Sequence, residues 1–281
     1  MLTKNEIKSI EKKYGFFPQK KLGQSFLVDA NIKDKIIAAA CLGKDDTVIE
    51  IGSGLGQLTF ELAKAVKRVV AVEFDKKIFS ALAEFTKDNA RVVLVREDFL
   101  KLDIRRFAPR NKRLKVVSNL PYYISSPVLL KLFAYSGYID CAVLTLQKEV
   151  AARLTAAPGT KEYGSLTLFA DFHSEIKRLF DISRHSFYPR PQVDSTVISL
   201  SMRREPPVAS GDKNELFDLI RAGFSKRRKT LVNAVLSQGR EGVTKENLGH
   251  CLNACGIPIN IRAEALSLSD FSRISDLLNK Q

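Results

Sequence analysis

Asn119, Leu120, Pro121 and Tyr122 follow directly on an apolar, β-branched run, in the stretch VVSNLPYYISSP from Val116 to Pro127. The run reads as the end of a buried strand. Pro121 has no N–H for a ladder and biases Leu120 to extended backbone, so the strand stops there. The break leaves an amide, a carbonyl and a ring at the carboxyl end of a strand, where open α/β sheets bind ligands. Asn119 can offer a side-chain oxygen, Leu120 a backbone carbonyl and Tyr122 a stacking face. An amine on a flat ring needs acceptors for its hydrogens and a surface for its plane. Taken alone, the tetrapeptide reads equally well as a turn with a capping Asn, because Asn and Pro are turn residues.

Three further strand ends carry groups of the same kind. Thr47–Ile51 runs into Gly52-Ser53-Gly54-Leu55-Gly56, and a helix follows from about Leu58. Strand, glycine-rich turn and helix form a nucleotide-binding layout. The spacing is GxGxG, neither the dinucleotide GxGxxG nor a P-loop, which suits a ligand without phosphates. The strand Arg68–Val72 leads to Glu73, 21 residues after Gly52, where an acid can accept from both hydroxyls of a ribose. The strand Val92–Val95 leads to Asp98 and Phe99, an acceptor for an adenine amine and a ring to pack beside it. Each could be an ordinary strand-end loop. Together they point to one ligand on one sheet.

Other elements position these groups. Residues 1–22 are basic and end in a Pro-containing stretch, Phe16 to Lys21, which can lie against RNA or form a loose end. Gly23-Gln24-Ser25-Phe26-Leu27 precedes a helix capped by Asp29 and running to about Cys41. Helices are expected from about Lys76 to Phe85, from Pro127 to Phe133 and through Val150 and Leu154, with a fifth strand at Cys141–Gln147. A helix and then a strand are expected over 163–184. Phe187 and Tyr188 stand on a loop stiffened by Pro189 and Pro191, a stacking platform or a core plug, before a last strand from Thr196 to Leu200. Residues 203–211, with two prolines, Ser and Gly, read as a linker. After it the strand signals stop and the spacing becomes helical. Lys226, Arg227, Arg228 and Lys229 form a basic run, either a phosphate-contact patch or a solvated face.

Composition bounds the reading. The 281 residues are 45% hydrophobic and 27% charged, globular rather than disordered. No long uncharged apolar run predicts a membrane span, and no apolar core or cleavage-like site follows the first lysines, so a cytoplasmic protein is expected. The net charge of +14 suggests a polyanionic partner, most simply a nucleic acid. Cys41 and Cys141 read as core residues. His250, Cys251 and Cys255 lack a fourth ligand at zinc spacing, so no metal site is expected.

The segments LGQSFL, VIEIGSGLGQLT, VEFD, EDFLKLD, VVSNLPYYISSP, LTLQKEVAARL, FYPRPQVDS and FSKRRKTL together resemble the ribosomal RNA adenine dimethyltransferases, from about Lys20 to the C-terminus. They are most similar to the housekeeping branch, which dimethylates two adjacent adenosines near the 3′ end of small-subunit rRNA. The resemblance implies an α/β fold: a Rossmann-like seven-stranded class I methyltransferase sheet over residues 23–202 and a smaller all-helical RNA-binding domain over 212–281. It implies S-adenosylmethionine as cofactor, with Gln24, Ser25 and Leu27 beside its methionine end. Gly52 and Gly54 would lie along it, Glu73 on its ribose, Asp98 on its adenine amine and Asn119 beside it. Asn119, Leu120, Pro121 and Tyr122 would hold the target adenine, with Phe187 across its ring. Lys226 to Lys229 would meet rRNA within an immature 30S-type particle. A monomer without protein partners is expected. Ser25 departs from the family's Asn or His, and Tyr123 from a frequent Asn. An assembly factor that binds RNA, with methylation secondary, is the alternative. A DNA adenine methyltransferase accounts less well for the basic helices and for YPRPQVDS.

Overall fold

The computed structural model describes residues 1–18, 23–209, 211–239 and 242–280. The end of the expected basic segment, residues 19–22, lies outside the described residues, as do Ser210 of the expected linker and Gln281. The chain divides into two compact units. One comprises Met1–Ala151 and Glu175–Met202, the other Ala152–Ser174 and Arg203–Gln281.

Along the chain, α1 (Lys4–Tyr14), β1 (Phe26–Leu27) and α2 (Ala30–Ala39) come first. The pairs β2 (Thr47–Ile51) with α3 (Thr59–Ala65) and β3 (Arg68–Val72) with α4 (Lys76–Thr86) follow, then β4 (Val92–Val95). Next are β5 (Leu114–Asn119), α5 (Ser125–Ala134), β6 (Ile139–Gln147), α6 (Lys148–Leu154) and α7 (Ser165–His173). β7 (Ser174–Ile182), β8 (Phe187–Tyr188) and β9 (Ser195–Met202) complete the strands. α8 (Lys213–Gly223), α9 (Leu231–Leu236), α10 (Lys245–Ala254) and α11 (Leu268–Leu278) end the chain.

Seven strands form one sheet in the order β4-β3-β2-β5-β6-β9-β7. β2 pairs in parallel with β3 and β5, β3 with β4, and β5 with β6, while β9 runs antiparallel to β6. The strands after β2 build outward on one side, and those from β5 onward build on the other. β2 and β5 therefore flank the topological switch point, where a crevice opens beyond the strand ends. All five residues of β2 are buried, as expected of a parallel strand covered on both faces. Asp29 caps α2 by accepting from the N–H groups of Asn31 and Ile32 at 3.1 and 3.3 Å.

Residues 4–14 are helical and packed, so this part of the basic N-terminus is not a loose end. Thr3 and Glu6 make a reciprocal capping box. Ile7 is buried in a small core with Phe16, Phe26, Leu55 and Ile78. On α4, Glu84 accepts from Tyr14 and from Lys13. The lysines mask the apolar side of this helix in the sequence.

The second unit differs from the expected helical domain in taking in Ala152–Ser174. Aromatic packing supplies the reason. The rings of Phe169 and Phe172 on α7 lie 4.6 and 5.0 Å, centroid to centroid, from Phe217 on α8. The Tyr163 hydroxyl also donates to the Leu266 carbonyl at 2.8 Å.

Candidate active site

A cleft open to solvent lies in the first unit and is lined by Gln24, Ser25, Leu27, Gly52, Gly54, Glu73, Asp98 and the run Asn119–Tyr122. Thus the four strand ends singled out by residue type converge on one space.

Its floor is the glycine loop. The Gly52 and Ser53 N–H groups both donate to the Val72 carbonyl, at 2.8 and 3.1 Å, which stitches the loop to the end of β3. Gly52 has φ +69 and Gly54 φ +57, conformations that favour glycine. A Cβ on Gly52 would lie 2.9 Å from Cγ of Pro121, and one on Gly54 would lie 3.1 Å from the Phe26 ring. The missing side chains let Pro121 and Phe26 close on the loop.

Glu73 is buried, and both its carboxylate oxygens face backbone donors: Gly54 N–H at 2.9 Å and Asp75 N–H at 2.8 Å. Burial raises its pKa, and the N–H bonds from Asp75 and Gly54 oppose that rise. Asp98 accepts from the Leu100 N–H at 2.9 Å, which orients the carboxylate at the end of β4.

On the other wall, Asn119 donates its Nδ2 to the Ser25 carbonyl at 3.1 Å. Its Oδ1 is buried with no hydrogen-bond partner. Gln57, in the turn just before α3, has a buried Nε2 in the same condition and also lines the cleft. Buried polar groups are nearly always paired, so an orphan acceptor and an orphan donor in one cleft mark places for a polar ligand. Tyr122 lines the cleft with its hydroxyl held 2.6 Å from Ser195 Oγ, which fixes the ring. Burial raises the Tyr122 pKa, so the phenol stays neutral.

Phe187 is not brought to the cleft. It is 1% exposed, sits in the main core with Leu27 and Ile36, and pairs with Leu27 where β1 meets β8. The expected stacking partner across the target ring is thus corrected to a core plug. Alternation explains it: in a strand, neighbouring side chains face opposite sides, and Phe187 takes the inner one. The exposed aromatics at the cleft are instead Phe74 and Tyr123, 63% and 49% exposed.

Sequence reasoning also missed Glu50, the lone acid in β2. It is buried, lines the cleft and accepts from Thr59 Oγ1 at 2.5 Å. Burial raises its pKa to about 8, the Thr59 bond opposes this, and the charge of Glu73 adds to it. A raised acid pKa favours the folded state below the unfolded value, and that contribution is lost as pH climbs to the folded one. From about pH 4.5 to about 8, wild-type stability should therefore fall through this group. Glu50→Gln should flatten that part of the profile, with slopes differing by up to about 1.4 kcal/mol per pH unit. Denaturant melts of both proteins across this range check it, and parallel profiles would refute it.

In the second unit, Lys226–Lys229 form an exposed turn between α8 and α9. Arg227 also bonds within that unit, with Nε 3.3 Å from Glu264 and a hydrogen bond to the Lys161 carbonyl, while its side chain stays about half exposed.

The model of the ribosomal RNA adenine dimethylase family matches residues 16–280. The ribosomal RNA small subunit methyltransferase A of Geobacillus thermodenitrificans is 41% identical over 98% of this chain and 96% of its own. The protein of that name from Lachnoclostridium phytofermentans is 38% identical over 96% and 94%. Among solved structures, a dimethyladenosine transferase from Plasmodium falciparum is 27% identical with a TM-score of 0.69, over 89% of this chain and 95% of that one. The 23S rRNA methyltransferase ErmE, 23% identical with a TM-score of 0.67 over 90% and 99%, shares the fold. With a match along nearly its whole length, a class I methyltransferase sheet and a cleft at the switch point, the chain belongs to the ribosomal RNA adenine dimethylase family.

Proposed function

We propose that this protein is the S-adenosylmethionine-dependent dimethyltransferase that modifies the N6 amines of two adjacent adenosines near the 3′ end of small-subunit rRNA, in ribosome biogenesis. One observation carries the reading most: a glycine cradle with a buried carboxylate shares a cleft with Asn119 Oδ1, a buried acceptor without a partner. The cleft has groups to fit the cofactor. Gly52 and Gly54 would admit it closely, Glu73 would accept from its ribose hydroxyls, Asp98 would accept from its adenine amine, and Gln24, Ser25 and Leu27 would flank its methionine end. When bound, S-adenosylmethionine supplies a sulfonium methyl whose transfer breaks a C–S bond, leaves the electron pair on sulfur and forms an N–C bond, the amine proton passing to water.

The residues of the chain do the rest. An adenine amine is a poor nucleophile because its lone pair is delocalised into the ring. Asn119 Oδ1 and the Leu120 carbonyl accept its two hydrogens and draw the nitrogen toward a tetrahedral shape. Pro121 shapes the turn that presents both acceptors. Tyr122 holds the ring plane from one side. Positioning and hydrogen bonding then supply most of the rate gain. No general base is required before attack, because the amine becomes strongly acidic as it is alkylated.

RNA enters through charge. The net charge of +14 and the exposed Lys226, Arg228 and Lys229 support a phosphate-contacting surface. Arg227, half exposed, belongs to the same patch and is in addition bonded within its own unit. The rRNA is met within an immature 30S-type particle, in the cytoplasm, by a monomer. The described residues contain no helix long and apolar enough to cross a membrane. The reading as an RNA-binding assembly factor explains the charge but leaves the orphan acceptor and orphan donor of the cleft without a task.

Labelled S-adenosylmethionine and immature small subunits should yield N6,N6-dimethyladenosine, identified by nucleoside mass spectrometry. Substituting Lys226, Arg228 and Lys229 together by Ala should weaken RNA binding and flatten its dependence on log salt by up to about three, near one for each phosphate left unneutralised. No labelled adenosine from particles, or a label found only on duplex DNA, would refute the assignment.

A further inference from the structure

Ser25 stands where the resemblance leads one to expect a longer polar side chain at the methionine end of the donor. Its hydroxyl is engaged elsewhere. Ser25 Oγ donates to the Pro189 carbonyl at 2.5 Å, while its own carbonyl accepts from Asn119 Nδ2 at 3.1 Å. One short residue thus links the reactive tetrapeptide to the proline-stiffened loop after β8. The same loop is tied down on its far side. Ser195 Oγ lies 2.6 Å from the Tyr122 hydroxyl, and the Asp194 carbonyl accepts from the Lys148 N–H at 3.1 Å. Asp194 Oδ1 also accepts from the Arg184 N–H at 2.9 Å. Amide and ring of the acceptor site are therefore both braced against residues 189–195.

An amide group is planar, so holding its NH₂ end fixes the direction of its oxygen. With Nδ2 committed to the Ser25 carbonyl, Oδ1 is left as the buried orphan in the cleft. We propose that Ser25, bonded at once to Pro189 and to Asn119, is a positioning residue that aims Asn119 Oδ1 at the amine and so governs whether a second methyl follows the first. The proposal rests on the reading of Asn119 as the acceptor of the amine hydrogens.

The consequence differs between the two transfers. In the first, the amine carries two hydrogens, and Asn119 Oδ1 and the Leu120 carbonyl both hold it. In the second, one hydrogen remains and a methyl occupies the other place. A single acceptor then orients the nitrogen, so looseness in that acceptor costs the second transfer more. A residue that served only general stability would slow both transfers alike.

The test compares Ser25→Ala with Ser25→Thr in the full chain, on small ribosomal subunits lacking dimethyladenosine. Nucleoside mass spectrometry reads mono- against dimethyladenosine over time. Calorimetry reads S-adenosylhomocysteine affinity, and a thermal melt reads folding. Ser25→Ala should slow the second transfer about tenfold more than the first, so that monomethyladenosine accumulates. Because Ser25 would also flank the methionine end of the donor, both transfers are compared at saturating donor, with S-adenosylhomocysteine affinity measured on the same variant. Ser25→Thr, which keeps the hydroxyl, should restore the product ratio. With donor saturating, equal slowing of both transfers would overturn the proposal. An unchanged product ratio in Ser25→Ala would overturn it as well, and with Asn119→Ala inactive the acceptor-site reading would survive that result. If Ser25→Ala lacks a cooperative melt, Ser25→Cys, with a weak donor of similar size, takes its place under the same criteria.

Discussion

Asn119→Ala is expected to lower methyl transfer by about 10²–10³-fold or more while donor affinity stays within about threefold. The acceptor oxygen contributes where charge redistributes on the amine, and its loss is felt in turnover rather than in binding of the donor. The groups that would hold the nucleoside of the donor, Glu73 and Asp98, stand at the ends of β3 and β4 and are untouched by this change. Folding should change little. The variant loses one hydrogen bond to the Ser25 carbonyl, which costs about 1 kcal/mol, but it also removes a buried oxygen that has no partner. The two effects oppose. Single-turnover assays with calorimetry on the same preparation separate the roles. A fall in donor affinity as large as the fall in transfer would show that Asn119 serves the donor site and not the amine.

Gly52→Ala should weaken both functions together. The position has φ +69, which costs an alanine roughly 1–3 kcal/mol. The new Cβ would also lie 2.9 Å from Cγ and 3.0 Å from Cδ of Pro121. A proline ring cannot swing aside as the end of a flexible chain can. Either the glycine loop or the tetrapeptide must move, and donor cradle and acceptor site lie on the two sides of that contact. Donor affinity should drop more than about tenfold, and transfer by at least about 10²-fold, as a misplacement near 1 Å implies. The melting temperature should fall by several degrees, about what 1–3 kcal/mol produces in a domain of this size. Normal donor binding by Gly52→Ala would show that the loop and Pro121 can separate without loss, and would remove the close approach from the account of the site. Paired with Asn119→Ala, the experiment divides the cleft: one variant uncouples transfer from binding, and the other weakens both.

Much of the donor side is legible in the residues alone. GxGxG after an apolar strand, an acid 21 residues after Gly52 and a second acid after the next strand are local patterns, each set by a strand and the turn that ends it. Parallel strands buried on both faces leave nearly continuous apolar runs, so β2 and β3 can be read almost to the residue, and the partly buried edge strand β4 is apolar enough to be read as well. The same locality makes Asn119, Leu120, Pro121 and Tyr122 visible as a strand ending in an amide and a ring.

What the sequence could not determine were the meetings between distant segments. Phe26–Leu27 pairs with Phe187–Tyr188 from far along the chain, and that pairing turned Phe187 into the core. Nothing local distinguishes an inward from an outward ring in a two-residue strand. The basic N-terminus hid a packed helix because lysines surround the two isoleucines, Ile7 and Ile10, on which it packs. Residue types alone named the groups able to accept from an amine. Only the tertiary structure decided that Ser25 bonds Pro189 on one side and Asn119 on the other, because hydrogen bonds between remote residues depend on how sheet, hairpin and loop close on one another.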